Sequence, residues 1–279
     1  MIAQRMGQTE GTSFQQYSAV IDWNLKFPSG LLMMARACLC GILVGSLCLP
    51  HIVSGQATQL GCERTNDLVE QFKVITTFWK QFEVAQQIVA LHDNRVLQEL
   101  EPWLRNEDMH QRGNAAFIFA SLGDDRGFQV IKAILEDRSP QRAVFRTDDT
   151  GSPSPKLQIR ADRYYAAHLF GDLKDPRAVP ILVPLLKDPD VNWIVPWSLG
   201  EIGDKSAIPA LIETLGDSSP DMRVLAIYAL QQLKAKEALT QIRALLNDQE
   251  KTHFDGLVSV AEAAKAAVAS LQEVRDKPR

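Results

Sequence analysis

A helical pattern, a short polar turn and a second helical pattern recur along this chain at a period near 30 residues, and few folds accept such a unit. The clearest copy is Val191–Asp217, VNWIVPWSLGEIGDKSAIPALIETLGD, in which Gly203 and Asp204 separate the two helices. The first buried residue of the second helix aligns in five places, Val96, Gly127, Ala178, Ala207 and Ala238, at successive spacings of 31, 51, 29 and 31 residues. One such pair has too little apolar surface to stand alone, so neighbouring pairs must stack and bury each other's faces. The fold class that follows is all-α, an α-solenoid of stacked antiparallel helix pairs. The one long spacing has a visible source in Arg138–Pro155, RSPQRAVFRTDDTGSPSP, whose Pro, Ser, Thr and Asp content reads as a loop inserted between two repeats. Two readings of it stay open: a structureless surface insertion, or a lid or recognition arm on one face of the array.

The period also sets domain boundaries. Residues 105–248 hold the repeats, with the inserted loop at 138–156; residues 58–104 form a helical cap or divergent first repeat; residues 249–279 form a capping helix and tail. That helix is expected from Thr252 to Val274, with a mostly polar outer face, because an array needs a polar end to stay soluble. Residues 1–57 are of another kind. Arg36 precedes an apolar run, Ala37–Pro50, of signal-peptide length, and Gly55 and Ala57 follow with the spacing of a cleavage site. The run falls short of the roughly 20 apolar residues of a membrane span, and Pro50 and His51 interrupt it. The expectation is a periplasmic or secreted protein, cleaved after Ala57 and translated from Met33 or Met34; the alternative is an uncleaved N-terminal membrane anchor. Cys38, Cys40 and Cys48 lie in that run and Cys62 just beyond it, a distribution that fits neither a disulfide framework nor a zinc site.

Three segments carry a resemblance. RADRYYAAHLFGDLKDPRAVPILVPLLKDPD (Arg160–Asp190), the Val191–Asp217 copy and DMRVLAIYALQQLKAKEALTQIRALLND (Asp221–Asp248) resemble the HEAT-like repeat of the phycobilisome-lyase type, whose pattern runs V-R-x-x-A-A-x-A-L-G-x-I-G-D-x-x-A-V-P-x-L. Ala166, Ala167, Phe170 and Gly171 match it in one repeat, and Leu199, Gly200, Ile202, Gly203 and Asp204 in the next. The resemblance spans roughly residues 105–248. It is specific for fold and poor for function: the family includes bilin lyases, most members are interaction modules, and the repeat carries no catalytic signature. It further implies that a recurring Arg and Asp tie adjacent repeats together. Arg112, Arg163 and Arg223 match the Arg, and Asp124, Asp175 and Asp204 the Asp. Asn192 replaces the Arg in one repeat and Ala235 the Asp in another, so those two junctions are expected to be looser or held differently.

The first helices carry a second pattern. With Gln111, Asp162, Val191 and Met222 as first slots, a turn of about 100° per residue puts slots one, five, eight, nine and twelve on the buried stripe. In the clearest copy these are Val191, Val195, Ser198, Leu199 and Ile202. Slot seven, on the other side, reads Phe117, His168, Trp197 and Tyr228, and slot three reads Gly113, Tyr164, Trp193 and Val224. Residues four apart lie above one another on a helix, so stacking would turn these side chains into an aromatic ladder. Contiguous exposed apolar surface marks interaction sites, and the resemblance places these slots on inner, concave helices that vary with the partner. The competing reading packs the aromatics against neighbouring repeats. Pro196 adds a constraint, because a helix that starts late, with Asn192 as N-cap, would point Trp193 elsewhere.

No catalytic constellation accompanies the ladder. The five histidines show no H-x-x-H or H-E-x-x-H spacing, and neither a G-x-S-x-G nor a phosphate-binding glycine loop occurs. His110, near Glu107 and Asp108, reads as a solvated turn residue, and His168 as ring packing. No catalytic residue, metal or cofactor is expected. A formal charge of −4 excludes a basic coat for nucleic acid. The leading expectation is an exported, non-enzymatic scaffold that recognises a protein or peptide partner through Trp197, Trp193, Tyr164, His168, Tyr228 and Phe117. The alternatives are a bilin lyase-like enzyme handling a tetrapyrrole and a membrane-tethered envelope assembly factor.

Overall fold

The computed structural model describes residues 53–139, 155–253 and 258–273. The apolar run Ala37–Pro50, and with it the expected export signal, lies outside the described residues, as does most of the Arg138–Pro155 insertion. The expected cleavage point after Ala57 falls within the first helix.

Twelve α-helices make up the described part of the Gly55–Arg279 unit and the turn leading into it: α1 Val53–Val74, α2 Phe78–Ala90, α3 Val96–Leu100, α4 Met109–Ser121, α5 Asp125–Glu136, α6 Pro155–Leu173, α7 Val179–Leu182, α8 Val195–Ile202, α9 Ile208–Thr214, α10 Pro220–Gln232, α11 Leu239–Ala244 and α12 Val260–Glu273. The even-numbered helices α2, α4, α6, α8, α10 and α12 pack on one another in chain order and form one layer. Each of the shorter helices α5, α7, α9 and α11 packs on the first helix of the repeat that follows it. This is the expected stacked array of antiparallel pairs. Val96, Gly127, Ala178, Ala207 and Ala238 are all buried, as their alignment requires.

Local chemistry explains the repeat's boundaries. Asp124, Asp175 and Asp204 each sit just before the second helix and accept the backbone N–H two residues on, from Arg126 (3.0 Å), Arg177 (2.9 Å) and Ser206 (2.7 Å). These bonds satisfy an orphan donor of the helix start. The residue before each Asp, and Lys234 before Ala235, ends the first helix in the left-handed region, with φ of 87° at Gly123, 55° at Lys174, 77° at Gly203 and 54° at Lys234. Only glycine takes that conformation without steric cost, so two of the four repeats carry the turn with a lysine. At Ala235 the cap has no side-chain bond.

Prolines shape the remainder. Pro196, Pro209 and Pro220 stand in the first turn of α8, α9 and α10, where the missing N–H is no loss. Pro180 and Pro184 are four residues apart and split one second helix into the short α7 flanked by 3-10 turns, Pro176–Ala178 and Val183–Lys187. Because Pro196 can sit only near a helix start, α8 begins at Val195 instead of Val191, with Ile194 and not Asn192 at its cap. The buried stripe survives the shift: Val191, Val195, Ser198 and Leu199 are fully buried and Ile202 is 8% exposed. The capping helix also starts later than Thr252. The chain first makes a β-bridge between Lys251 and Ser259, and α12 then begins behind a capping box in which Ser259 N–H donates to Glu262 Oε2 (2.8 Å) and Glu262 N–H to Ser259 Oγ (3.2 Å).

Arg163 and Arg223 hold each repeat to the turn that closes it. Arg163 is 1% exposed; its Nε donates to Leu135 O (2.8 Å) at the end of the preceding repeat, and its Nη2 to Asp188 Oδ2 (2.7 Å). Arg223 repeats the motif, with Nη1 on Asp217 O (2.7 Å) and Nε 3.0 Å from Asp248 Oδ2. Arg112 donates to Asn106 O (2.6 Å). The three aspartates do not meet these arginines: they cap helices inside their own repeats. The charged ties between second helices come instead from Glu101–Arg126 (3.2 Å) and Asp125–Arg177 (2.6 Å). Where Asn192 replaces the Arg, Ser198 on α8 supplies the link, its hydroxyl donating to Ala167 O of α6 (2.8 Å).

Candidate functional site

Of the aromatic slots, His168 of α6 and Trp197 of α8 meet ring to ring, and the face is not an open ladder. Phe117 is 5% exposed and packs edge-on against Phe82 of α2, with ring centroids 4.9 Å apart. His168 is 8% exposed, while Tyr164, Trp193, Trp197 and Tyr228 are half-buried. Among the described residues the large exposed hydrophobics are Val74 and Trp79, neither of which belongs to this face. The expectation of a wet aromatic stripe is therefore corrected. Its physical reason is close approach of the first helices. A Cβ on Gly171 of α6 would sit 2.7 Å from the Trp197 ring and 3.0 Å from Ser198 Cα of α8. At that separation the Trp197 ring lies on α6.

The result is a polar and aromatic cluster centred on α6. The His168 ring stacks on Trp197 at 4.4 Å and 22°, and its Nδ1 lies 2.9 Å from Asp172 Oδ2 one turn further along the helix. Tyr165 is parallel to His168 at 6.3 Å and packs edge-on against Phe78 at 5.1 Å. Its hydroxyl donates to Asn114 Oδ1. Asn114 donates in turn to Gln81 Oε1 (2.9 Å) and Phe78 O (2.8 Å), and Gln81 to Phe72 O (2.9 Å). This buried relay crosses α6, α4, α2 and the end of α1. His110 joins from the start of α4, between the Phe78 and Tyr165 rings (4.5 and 5.0 Å) and 3.5 Å from the buried Asp162. It is thus a packed member of the cluster and not a solvated turn residue.

Electrostatically the cluster concentrates negative charge beside polar rings. Burial pushes the Tyr165 phenol well above its ordinary value, and the carboxylates of Asp172 and Asp108 push it further, so it keeps its proton as a donor. Trp197 stacks on His168, and Trp193, Tyr164 and Tyr228 are half-buried like it. The i, i+4 relation of His168 and Asp172 was visible in the sequence. The Tyr165–Asn114 bond, 51 residues apart, had no sequence signal, because it depends on how two repeats stack.

Comparison with known proteins gives this array a lineage. The HEAT-repeat pattern matches residues 158–217 and 188–253. Phycocyanobilin lyase subunit alpha of Picosynechococcus sp. is 35% identical over 116 residues, 37% of this chain and 39% of that protein. Deoxyhypusine hydroxylase of Candida albicans is 31% identical over 117 residues, 36% of this chain and 37% of that protein. The chain thus spans little more than a third of the length of these curated relatives. A solved structure, the complex of CpcE and CpcF of phycocyanin lyase from Nostoc sp. PCC7120, aligns with a TM-score of 0.41 and 24% identity over 61% of this chain and 62% of that one. Both curated relatives carry the names of enzymes or enzyme subunits. That overturns the expectation of a non-enzymatic scaffold and agrees better with the bilin-lyase alternative; the expected export signal lies outside the described residues.

Proposed function

We propose that this chain, a HEAT-repeat protein over residues 158–253, is a bilin-handling subunit of a lyase-type enzyme. The observation that carries the reading is the 35% identity over 116 residues to a phycocyanobilin lyase subunit. The geometry supports it. A bilin is a flat, conjugated, open-chain tetrapyrrole, and the half-buried rings of Trp197, Trp193, Tyr164 and Tyr228 fall in the same slots of successive helix pairs, where such a pigment could stack. His168 of α6 lies behind the Trp197 ring, stacked on it at 4.4 Å, and holds that ring in place. The relative is named as a subunit, so the partner of this chain is proposed to be a second polypeptide of the same enzyme.

The test is a titration of phycocyanobilin into the full chain, read by visible absorption. The expected result is a saturable change in the pigment spectrum. Trp197→Ala should bind about three- to ten-fold more weakly, the loss equivalent to about 0.5–1.5 kcal/mol of ring contact. A pigment spectrum that is the same in protein and in buffer at all ratios overturns the proposal.

A further inference from the structure

The first three turns of α6 border a cavity that the aromatic cluster does not use. It measures about 210 Å³ and is lined by Arg138, Lys156, Ile159, Arg160, Arg163 and Asp190. Four of the six are cationic. Two carboxylates face them: Asp188 binds Arg138 and Arg163, and Asp190 lies 3.5 Å from Arg160. Among the described residues, positive charge therefore exceeds negative by two. The start of a 19-residue helix adds its own partial positive charge on the same side. One atom is left over: Arg163 Nη1 is buried and meets no acceptor, although the Nε and Nη2 of the same guanidinium are both bonded. A buried donor without an acceptor costs free energy that a bound anion would return.

We infer that this cavity is a carboxylate-binding subsite. Its volume is below the about 300–1,000 Å³ of pockets that enclose a whole small molecule, so it takes one acidic side arm of a larger ligand. Arginine's planar fork matches a carboxylate better than a point charge does. Resting on the bilin reading above, the arm is a propionate of the tetrapyrrole. The distance along the helix agrees. Arg160 precedes His168 by eight residues, about 12 Å of helix axis, which is within the span of an open-chain tetrapyrrole. The pigment's acid groups would be anchored at the start of α6 and its rings laid toward Trp197.

The test compares phycocyanobilin as the free acid with its dimethyl ester, on the full chain and on Lys156→Gln/Arg160→Gln. Both substituted residues are exposed, so the variant keeps the buried Arg163 tie and its fold. The wild type is expected to bind the free acid at least about ten-fold more tightly than the ester, the size of one charge-assisted hydrogen bond, and the variant to lose that preference. Equal binding of acid and ester by the wild type, or an undiminished preference in the variant, overturns the subsite while leaving the bilin reading intact. Should neither form bind the wild type, the bilin reading fails, and glutarate decides the subsite alone. A rise in melting temperature with glutarate in the wild type but not in the variant supports a carboxylate from another source, and no rise in either overturns it.

Discussion

Replacing Arg163 with Met lowers the stability of the array by about 3 kcal/mol, because it removes two hydrogen bonds of a buried guanidinium and leaves Asp188 only the exposed Arg138 as counter-charge. Arg163 is 1% exposed and joins Leu135 O in one repeat to Asp188 in the turn that closes the next. The methionine fills much of the space but returns neither bond. The expected fall in melting temperature is about 6–12 °C. The effect has a pH signature. Burial pushes the Asp188 carboxyl up, but the Arg163 hydrogen bond, the Asp190 amide and the charges of Arg163 and Arg138 outweigh it and hold the group below its usual 3.8. A carboxyl held low when folded contributes stability that is complete above the unfolded value and is lost as the pH falls through the folded one. The deficit of Arg163→Met should therefore be largest near neutrality and shrink as the pH drops below about 4. Thermal melts of both proteins across that range check it, and a deficit that is absent or independent of pH contradicts it.

The second large effect comes from a glycine. Gly127→Ala should destabilise the chain by about 3 kcal/mol, although alanine is the better helix former by about 1 kcal/mol. A Cβ at this position would lie 2.2 Å from Ala116 O and 2.3 Å from Ala120 N, both backbone atoms of α4. Backbone cannot swing aside as a side chain can, so α5 must move off α4 and open the core around Phe119 and Ile131. Gly123→Ala is the contrast: its surroundings are empty within 4 Å, and only its φ of 87° is at issue. That change should cost about 1 kcal/mol. Urea melts of the two variants compare them directly; a Gly127→Ala midpoint equal to or above that of Gly123→Ala would show that the helices part cheaply.

Both predictions rest on features that one repeat shows only in part. The period of the helix pairs, the buried stripe from Val191 to Ile202 and the Gly-Asp turns were legible, since each follows from spacing within about 30 residues. The late start of α8 was foreshadowed by Pro196, whose ring allows little else. The roles of Asp124, Asp175 and Asp204 were not legible: an Asp before a helix and an Asp that bridges repeats look alike until the first helix's arginine is seen to reach Asp188 or Asp248. The free face was misjudged for a similar reason. A helical wheel says which side of one helix faces away from its partner, but not that the next helix lies close enough to cover it. Gly171 was the readable clue, since a glycine in the body of α6 signals close approach of another backbone. The Tyr165–Asn114–Gln81 relay and the basic cavity at Arg163 join residues across repeats, and only the stacked array brings them together.

The claim that joins these parts is that the first-helix layer around α6 and α8 holds a tetrapyrrole. Hydrogen exchange of the full chain, followed by mass spectrometry with and without phycocyanobilin, measures this without any substitution. The account predicts slower exchange in peptides covering α6 and α8, residues 155–173 and 195–202, with α9 and α11 in the second layer unchanged. Unchanged exchange at saturating pigment, or protection confined to the second-layer helices, would contradict it.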